Sequence, residues 1–373
     1  MKTKQRLHIN MTHGWKTACA AFLLLLAGCS GQDMPTVDKE DEPQVSDKEI
    51  ALDIEGWKPL DESRATIYED EGDFKSEASG GGNFTLYAYM KESAETFIGG
   101  ARVNYQASSG RWRFYSHPNY IEYYWPQSGT VDFFASMPWQ GSDRNKNITV
   151  DSDSYSKDTG LSLSCEMQSE ITNLEDPTGQ ETIIAYTTGK SKTDGSVNMH
   201  FVHPFAAVYF KLKQAHRDLT INWIRFDKVH LQGKTTLDAT TNGETKIEWT
   251  IPSGNTTGTF KININKTIPT DINFNGEVGG PYLVMPQSFG KGTDATTDDV
   301  TITINYTWDD KDTNTENTQS FTRSITTSNI TSWIAGNKYT YILDLGDNKE
   351  EILFKVYVEP WTSHDYKNIV DVE

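Results

Sequence analysis

The stretch Ile121-Glu-Tyr123-Tyr124-Trp125-Pro126-Gln127-Ser128-Gly129-Thr-Val131-Asp132-Phe133-Phe134-Ala135-Ser136-Met-Pro138 decides the fold class. Tyr123, Tyr124 and Trp125 favour a strand. Pro126 removes a backbone donor and ends the pairing. Gln127, Ser128 and Gly129 supply a turn, in which glycine tolerates positive φ. From Val131 the side chains alternate: Val131, Phe133 and Ala135 fall on one face, Asp132, Phe134 and Ser136 on the other. The first face is a core face, and Phe134 requires a covering loop or neighbour of its own. No reactive group stands out, so the stretch is a scaffold of β-pairing.

The same style repeats outward in both directions. Towards the N-terminus, Ile50-Ala-Leu52-Asp-Ile54-Glu-Gly-Trp57 alternates like a short strand and stops at Pro59. Runs at 84–90, 102–105, 112–115 and 120–125 follow, separated by glycine-rich turns. Residues 140–180 are polar, with weak strands near Ile148 and at Leu161–Cys165. Ile183–Tyr186 closes this half. From Val197 the pattern restarts with 197–213, 221–231, 246–251 and 259–264, then Tyr282-Leu-Val-Met-Pro286. Thr301–Trp308 and Gln319–Thr326 read as a long hairpin, and 339–345 and 352–358 complete the set. No long segment places apolar residues at helical spacing. The expectation is an all-β chain of two sandwich domains, 50–195 and 196–373.

The N-terminus reads as an address. Lys2, Lys4, Arg6 and Lys16 precede an apolar run at 17–26 that is too short to span a bilayer. The run closes on Leu26-Ala27-Gly28-Cys29, which looks like a bacterial lipobox. Cleavage would leave 1–28 as the signal peptide and Cys29 as an acylated first residue. The alternative is an ordinary signal peptide that contains a cysteine. Residues 30–49 carry seven acidic side chains and two prolines, so 29–49 reads as an acidic tether.

A net charge of −18 argues against nucleic acid and anionic membrane surfaces as partners. Membrane attachment would be through the lipid alone. At 36% hydrophobic the chain is lean, but 12% aromatic content supplies large buried areas. With Cys19 in the signal and Cys29 lipidated, only Cys165 remains, so no intrachain disulfide can form. Cys165 sits in Ser-Leu-Ser-Cys-Glu with no neighbouring histidine and reads as a small core residue.

Catalytic or metal sites find little support. His200-Phe-Val-His203 has a three-residue spacing that a strand sends to opposite faces. Asp310-Lys-Asp312-Thr-Asn314 starts like a calcium loop, but Thr315 stands where glycine belongs and Phe321 where glutamate belongs. Ser154-Tyr-Ser-Lys157 matches a serine–lysine spacing without a helix to present it. No cofactor is expected. Trp112, Tyr115, Tyr120, Tyr123, Tyr124, Trp125 and Trp139 read mainly as core, and as a second possibility offer aromatic faces for sugar rings.

Several phrases resemble the Bacteroidetes fimbrillin-like family (Mfa-like, type V pilins). They are Trp125-Pro126 with Val131-Asp-Phe-Phe-Ala135 and Pro138, then Phe201-Val-His203-Pro-Phe-Ala-Ala-Val-Tyr-Phe210. Further on stand Tyr282-Leu-Val-Met-Pro286-Gln287, Trp333-Ile-Ala-Gly336-Asn-Lys-Tyr339 and Val356-Tyr-Val-Glu-Pro360-Trp361. The resemblance spans residues 50–373. It implies two tandem transthyretin-like Greek-key sandwiches, export as a lipoprotein, and assembly with other subunits into surface fimbriae, with no catalytic residues. It places an arginine-specific cleavage at Arg64-Ala65 and a donor strand after Trp361, where Ile369, Val370 and Val372 would fill another subunit's groove. Non-enzymatic structural or adhesive work is the function expected, with the host or bacterial surface ligand left open. The alternative is a monomeric surface lipoprotein that binds glycans through exposed aromatics.

Overall fold

A computed structural model describes residues 45–55, 82–141, 147–172, 182–213, 218–237, 247–252, 257–269, 276–289, 300–310, 315–325, 330–345 and 352–360. Among them are twenty-four strands and no α-helix. The chain is all-β, as its period-2 patterning requires.

One large sheet is ordered β2 (Ala51–Glu55), β13 (Ser196–Val202), β12 (Ile183–Lys190), β8 (Val131–Met137), β3 (Asn83–Met90), β4 (Thr96–Gln106), β5 (Arg111–Ser116) and β6 (Asn119–Tyr120). β2 also bridges β5 at Leu52↔Trp112, so the sheet closes on itself. Its interior holds Phe84, Leu86, Val131, Phe133, Ile183, Val197 and Phe201, among others. Beside it, β1 (Val45–Glu49) pairs with β7 (Tyr124–Pro126). Val45–Glu49 falls within the stretch expected to be tether. Its Asp47, Lys48 and Glu49 side chains are exposed, with Lys48 Nζ donating to the Lys192 carbonyl, so hydropathy gives no sign of the strand.

A second pair of sheets faces across a core of its own. The first is ordered β11 (Glu170–Ile171), β17 (Gly258–Ile268), β15 (Leu219–Val229), β20 (Thr301–Asp310) and β21 (Thr315–Ser324). The other is β18 (Gly276–Val284), β14 (Ala206–Leu212), β23 (Asn337–Leu345) and β24 (Ile352–Pro360). Phe210, Ile224, Phe226, Ile262, Ile304, Trp333 and Tyr341 lie between them. The hairpin expected at 301–326 is present as β20 and β21 in continuous register from Thr301↔Ser324 to Asp310↔Thr315. A short pair, β19 (Gln287–Ser288) with β22 (Ser332–Trp333), seals one side.

Between these layers stands a third sheet, β16 (Gln232–Leu237), β10 (Gly160–Glu166) and β9 (Ile148–Ser156). It provides the cover that Phe134 requires. Phe134 packs against Tyr89, Tyr155 and Tyr186, with ring centroids 5.8–5.9 Å away. The same cluster takes in Leu161, Leu163 and Cys165 from β10, and Phe205, Ala207, Leu283 and Met285 from the second half. β8 is therefore buried along its whole length.

Three expectations of detail change. Tyr124–Pro126 and Val131–Met137 do not form a hairpin; the turn at Gly129 (φ 84°) passes the chain from one sheet to another. The run 197–213 is two strands, interrupted at His203-Pro204, because proline cannot continue the ladder. The run 246–251 is held by one bridge, Lys234↔Thr250. Its Trp249 stacks on Phe205 at 6.0 Å and donates from Nε1 to the Pro204 carbonyl at 2.7 Å. The division expected near residue 195 is crossed by pairing: β13 lies with the first-half strands β12 and β2, and β10 pairs with β16.

Candidate functional site

The large sheet closes on itself at a seam held by β2. β2 runs parallel to β13, from Ala51↔Ser196 to Glu55↔His200. Its other edge meets β5 only at Leu52↔Trp112. Ile50 donates its backbone N–H to the Tyr123 carbonyl at 2.7 Å. Alternation sends Ile50, Leu52 and Ile54 inward, with Ile50 fully buried and the other two half-buried against the core. Ala51 and Asp53 face solvent. The strand is short, and its inner face is wholly aliphatic.

Other candidates resolve into structure. Cys165 is buried and its thiol is pushed far up by burial, so it is no nucleophile at neutral pH. Ser154 donates to the Asp151 carbonyl at 2.7 Å and accepts from the Ser162 N–H at 2.8 Å, which ties down the β9–β10 turn. His200 is exposed and His203 buried, so the two do not converge. No cluster of three His, Cys, Asp or Glu among the described residues could hold a metal ion. Cys29, Arg64, Ala65, Ile369, Val370, Val372 and Lys311–Asn314 lie outside the described residues.

Two buried titratable groups matter for stability. Asp132, fully buried on β8, accepts from the Gly189 N–H at 2.6 Å and the Tyr155 hydroxyl at 2.9 Å, with Lys91 Nζ 3.8 Å away. Burial pushes its carboxyl above the usual range, against those hydrogen bonds and the Lys91 charge. Sequence gave no sign of this role, since Asp132 sits on the outward side of an alternating strand. His203 is held well below its ordinary value by burial, with the Lys338 ammonium adding to the effect. Below about pH 6.5 the unfolded chain takes up a proton that folded His203 refuses, so the stability due to neutral His203 is present above that pH and lost as pH falls. Relative to His203→Leu, the wild type is expected to lose about 1.4 kcal/mol per pH unit below about pH 6. Paired urea titrations from pH 7.5 to 5 check this; parallel pH profiles would remove the claim.

The aromatic group splits in two. Trp112 and Trp125 are core residues. Tyr123 packs on Phe114 at 4.6 Å. Tyr115, Tyr120 and Trp139 line the outer face around Arg102 and Arg113.

A fimbrillin-like family model matches residues 64–361, most of the chain. The protein belongs to the fimbrillin-like family. Members of this family are structural proteins without enzymatic activity, and the chain is of that kind. A fimbrial protein from Bacteroides vulgatus shares its fold at 14% identity, with a TM-score of 0.54, covering 85% of this chain and 100% of that one. The tip fimbrial protein Mfa3 from Porphyromonas gingivalis, solved with a C-terminal truncation, aligns over 80% of this chain and 97% of its own at 7% identity and TM-score 0.39. A structure from Bacteroides uniformis aligns at 16% identity and TM-score 0.47, covering 84% and 99%. No curated protein sequence matches.

Proposed function

We propose that this fimbrillin-like chain is a structural or adhesive subunit of surface fimbriae, exported as a lipoprotein on Cys29, cut at Arg64-Ala65, and joined to neighbouring subunits by strand exchange at the β2 seam. The tandem transthyretin-like sandwich reading belongs to the same proposal, as does attachment of the precursor to the outer membrane through lipid. Two acyl chains on Cys29 would anchor it, since one chain binds only marginally.

The observation that carries this reading is the place of β2. It lies N-terminal to Arg64, so cleavage there separates the strand from the rest of the sheet. Its loss would bare the edges of β13 and β5 and open an aliphatic trough, a state that favours adding another strand. The chain's last residues offer one. Alternation sets Val370 and Val372 on one face and Ile369 on the other, so two of the three aliphatic residues fit the trough in one register. Each such side chain contributes roughly 1.5–3 kcal/mol when buried, and each ladder hydrogen bond about 1 kcal/mol.

The test is protein cleaved at Arg64, with and without residues 362–373. The full-length cleaved form is expected to give detergent-resistant oligomers and the truncated form only monomers. Equal oligomer yield from both would remove the tail as donor. Val370→Asp with Val372→Asp should mimic the truncation, while Ile369→Asp should leave most of the assembly intact.

A further inference from the structure

The outer face of the β4–β5–β6 edge gathers positive charge in an acidic protein. Three of the nine arginines in the sequence, Arg102, Arg111 and Arg113, lie on it. The register explains why they share a face. Val103↔Phe114 and Tyr105↔Trp112 point inward, so Asn104↔Arg113 and Gln106↔Arg111 point outward. In a chain with 52 acidic and 34 basic side chains, these two arginines stand opposite neutral amides instead of carboxylates. Cross-strand opposite charges would be the stabilising choice. Arg113 has one acid nearby, Glu122 at 3.6 Å, too far for a good hydrogen bond. Arg111 is exposed and has no acidic partner among the described residues.

Arg102 does something different. Its guanidinium lies 4.6 Å from the Trp139 ring and 5.3 Å from the Tyr115 ring, and its Nε donates to Asn104 Oδ1 at 2.8 Å. Tyr115 in turn meets Tyr120 edge to face at 5.4 Å, and Arg113 sits 5.4 Å from the Tyr120 ring. This ladder fixes the aromatic rings before any ligand arrives, which lowers the ordering cost of binding. Stacking accounts for Arg102 as a brace. Arg113 stacks on Tyr120 in the same way, and among the described residues the guanidinium donors of Arg111 and Arg113 make no side-chain hydrogen bond.

We infer that this face binds an acidic polysaccharide, with a sugar ring on Tyr120 and a carboxylate or sulfate held by Arg111 and Arg113. Flat aromatic faces suit the apolar side of a pyranose, and the planar guanidinium fork suits a bidentate oxyanion. Arg111 and Arg113 are two residues apart on one face of one strand, so their Cα atoms lie about 7 Å apart, within reach of anionic groups on one short oligosaccharide. A neutral glycan would leave both forks unused. The inference deepens the adhesive reading of a surface protein, but it concerns the monomer and does not depend on cleavage or assembly.

The test is affinity electrophoresis of the uncleaved soluble chain (residues 30–373) in gels containing heparin, alginate, dextran or polyglutamate. Retardation by heparin, alginate or both, with none by dextran, is expected; the pattern distinguishes sulfate from carboxylate. Arg111→Ala with Arg113→Ala should weaken binding at least tenfold at an unchanged melting temperature. Tyr120→Ala should weaken it several-fold, and Arg111→Lys with Arg113→Lys, which keeps the charge but loses the fork, by a similar factor. A Lys211→Ala, Lys213→Ala control should bind like wild type. The inference falls if neither acidic gel retards the protein, if polyglutamate or dextran retards it equally, or if the lysine control loses as much as the arginine pair.

Discussion

Cutting after Arg64 and removing the released peptide is expected to cost the closed sheet about 3–6 kcal/mol in side-chain burial alone. Ile50 is fully buried and Leu52 and Ile54 half-buried. A full burial is worth roughly 1.5–3 kcal/mol and the half-burials about half of that. The parallel ladder to β13 and the Ile50–Tyr123 hydrogen bond add roughly 0.5–1.5 kcal/mol for each bond lost. Against a typical total of about 5–15 kcal/mol, the remaining sheet would sit close to its limit. In protein that also lacks residues 362–373, so that no donor can compensate, the melting temperature should drop by roughly 10–20 °C. Adding a peptide of residues 45–55 should restore it in a concentration-dependent way, as mass action requires. An unchanged melting temperature, or a peptide without effect at any concentration, would show that β2 does not hold the sheet closed.

Phe134→Ala is the second large effect. Phe134 is 2% exposed and touches three tyrosine rings in the core under the third sheet. Truncating such a ring costs about 3–5 kcal/mol. That core also contains Phe205, Ala207, Leu283 and Met285, so the loss should spread beyond the closed sheet. Hydrogen exchange is expected to quicken in β14 and β18 as well as in β3, β8 and β12, within one unfolding transition. Ile224→Ala, buried in the core of the second half, serves as the comparison. If Phe134→Ala loosens only residues 83–202, the third core is a cover and not a coupling between the layers.

Much of this was legible in the chain itself. The alternation Val131, Phe133, Ala135 against Asp132, Phe134, Ser136 predicted two differently buried faces, and both exist. Ile50, Leu52 and Ile54 read as one inward face, and the hairpin 301–326 read correctly, because period-2 patterning and local turns are local properties. The likeness to fimbrillin-like proteins was carried by short phrases such as Trp125-Pro126 and His203-Pro-Phe-Ala-Ala, and the family match bears it out.

What only the tertiary structure decided was which strands meet. β2 and β13 are separated by more than a hundred residues and pair in parallel, which no turn between them could specify. Val45–Glu49 pairs with Tyr124–Pro126, and its exposed Asp47, Lys48 and Glu49 concealed a strand. Asp132 looked like an outward residue; its burial depends on β9 arriving with Tyr155 and on the Gly189 N–H turning toward it. The arginines at 111 and 113 could be placed on one face from sequence. Their neutral cross-strand partners, and the Trp139–Arg102–Tyr115 stack beside them, follow from register and from where the loop after β8 falls. Sequence sets which side of a strand is apolar; the closing of the sheet sets what that side faces.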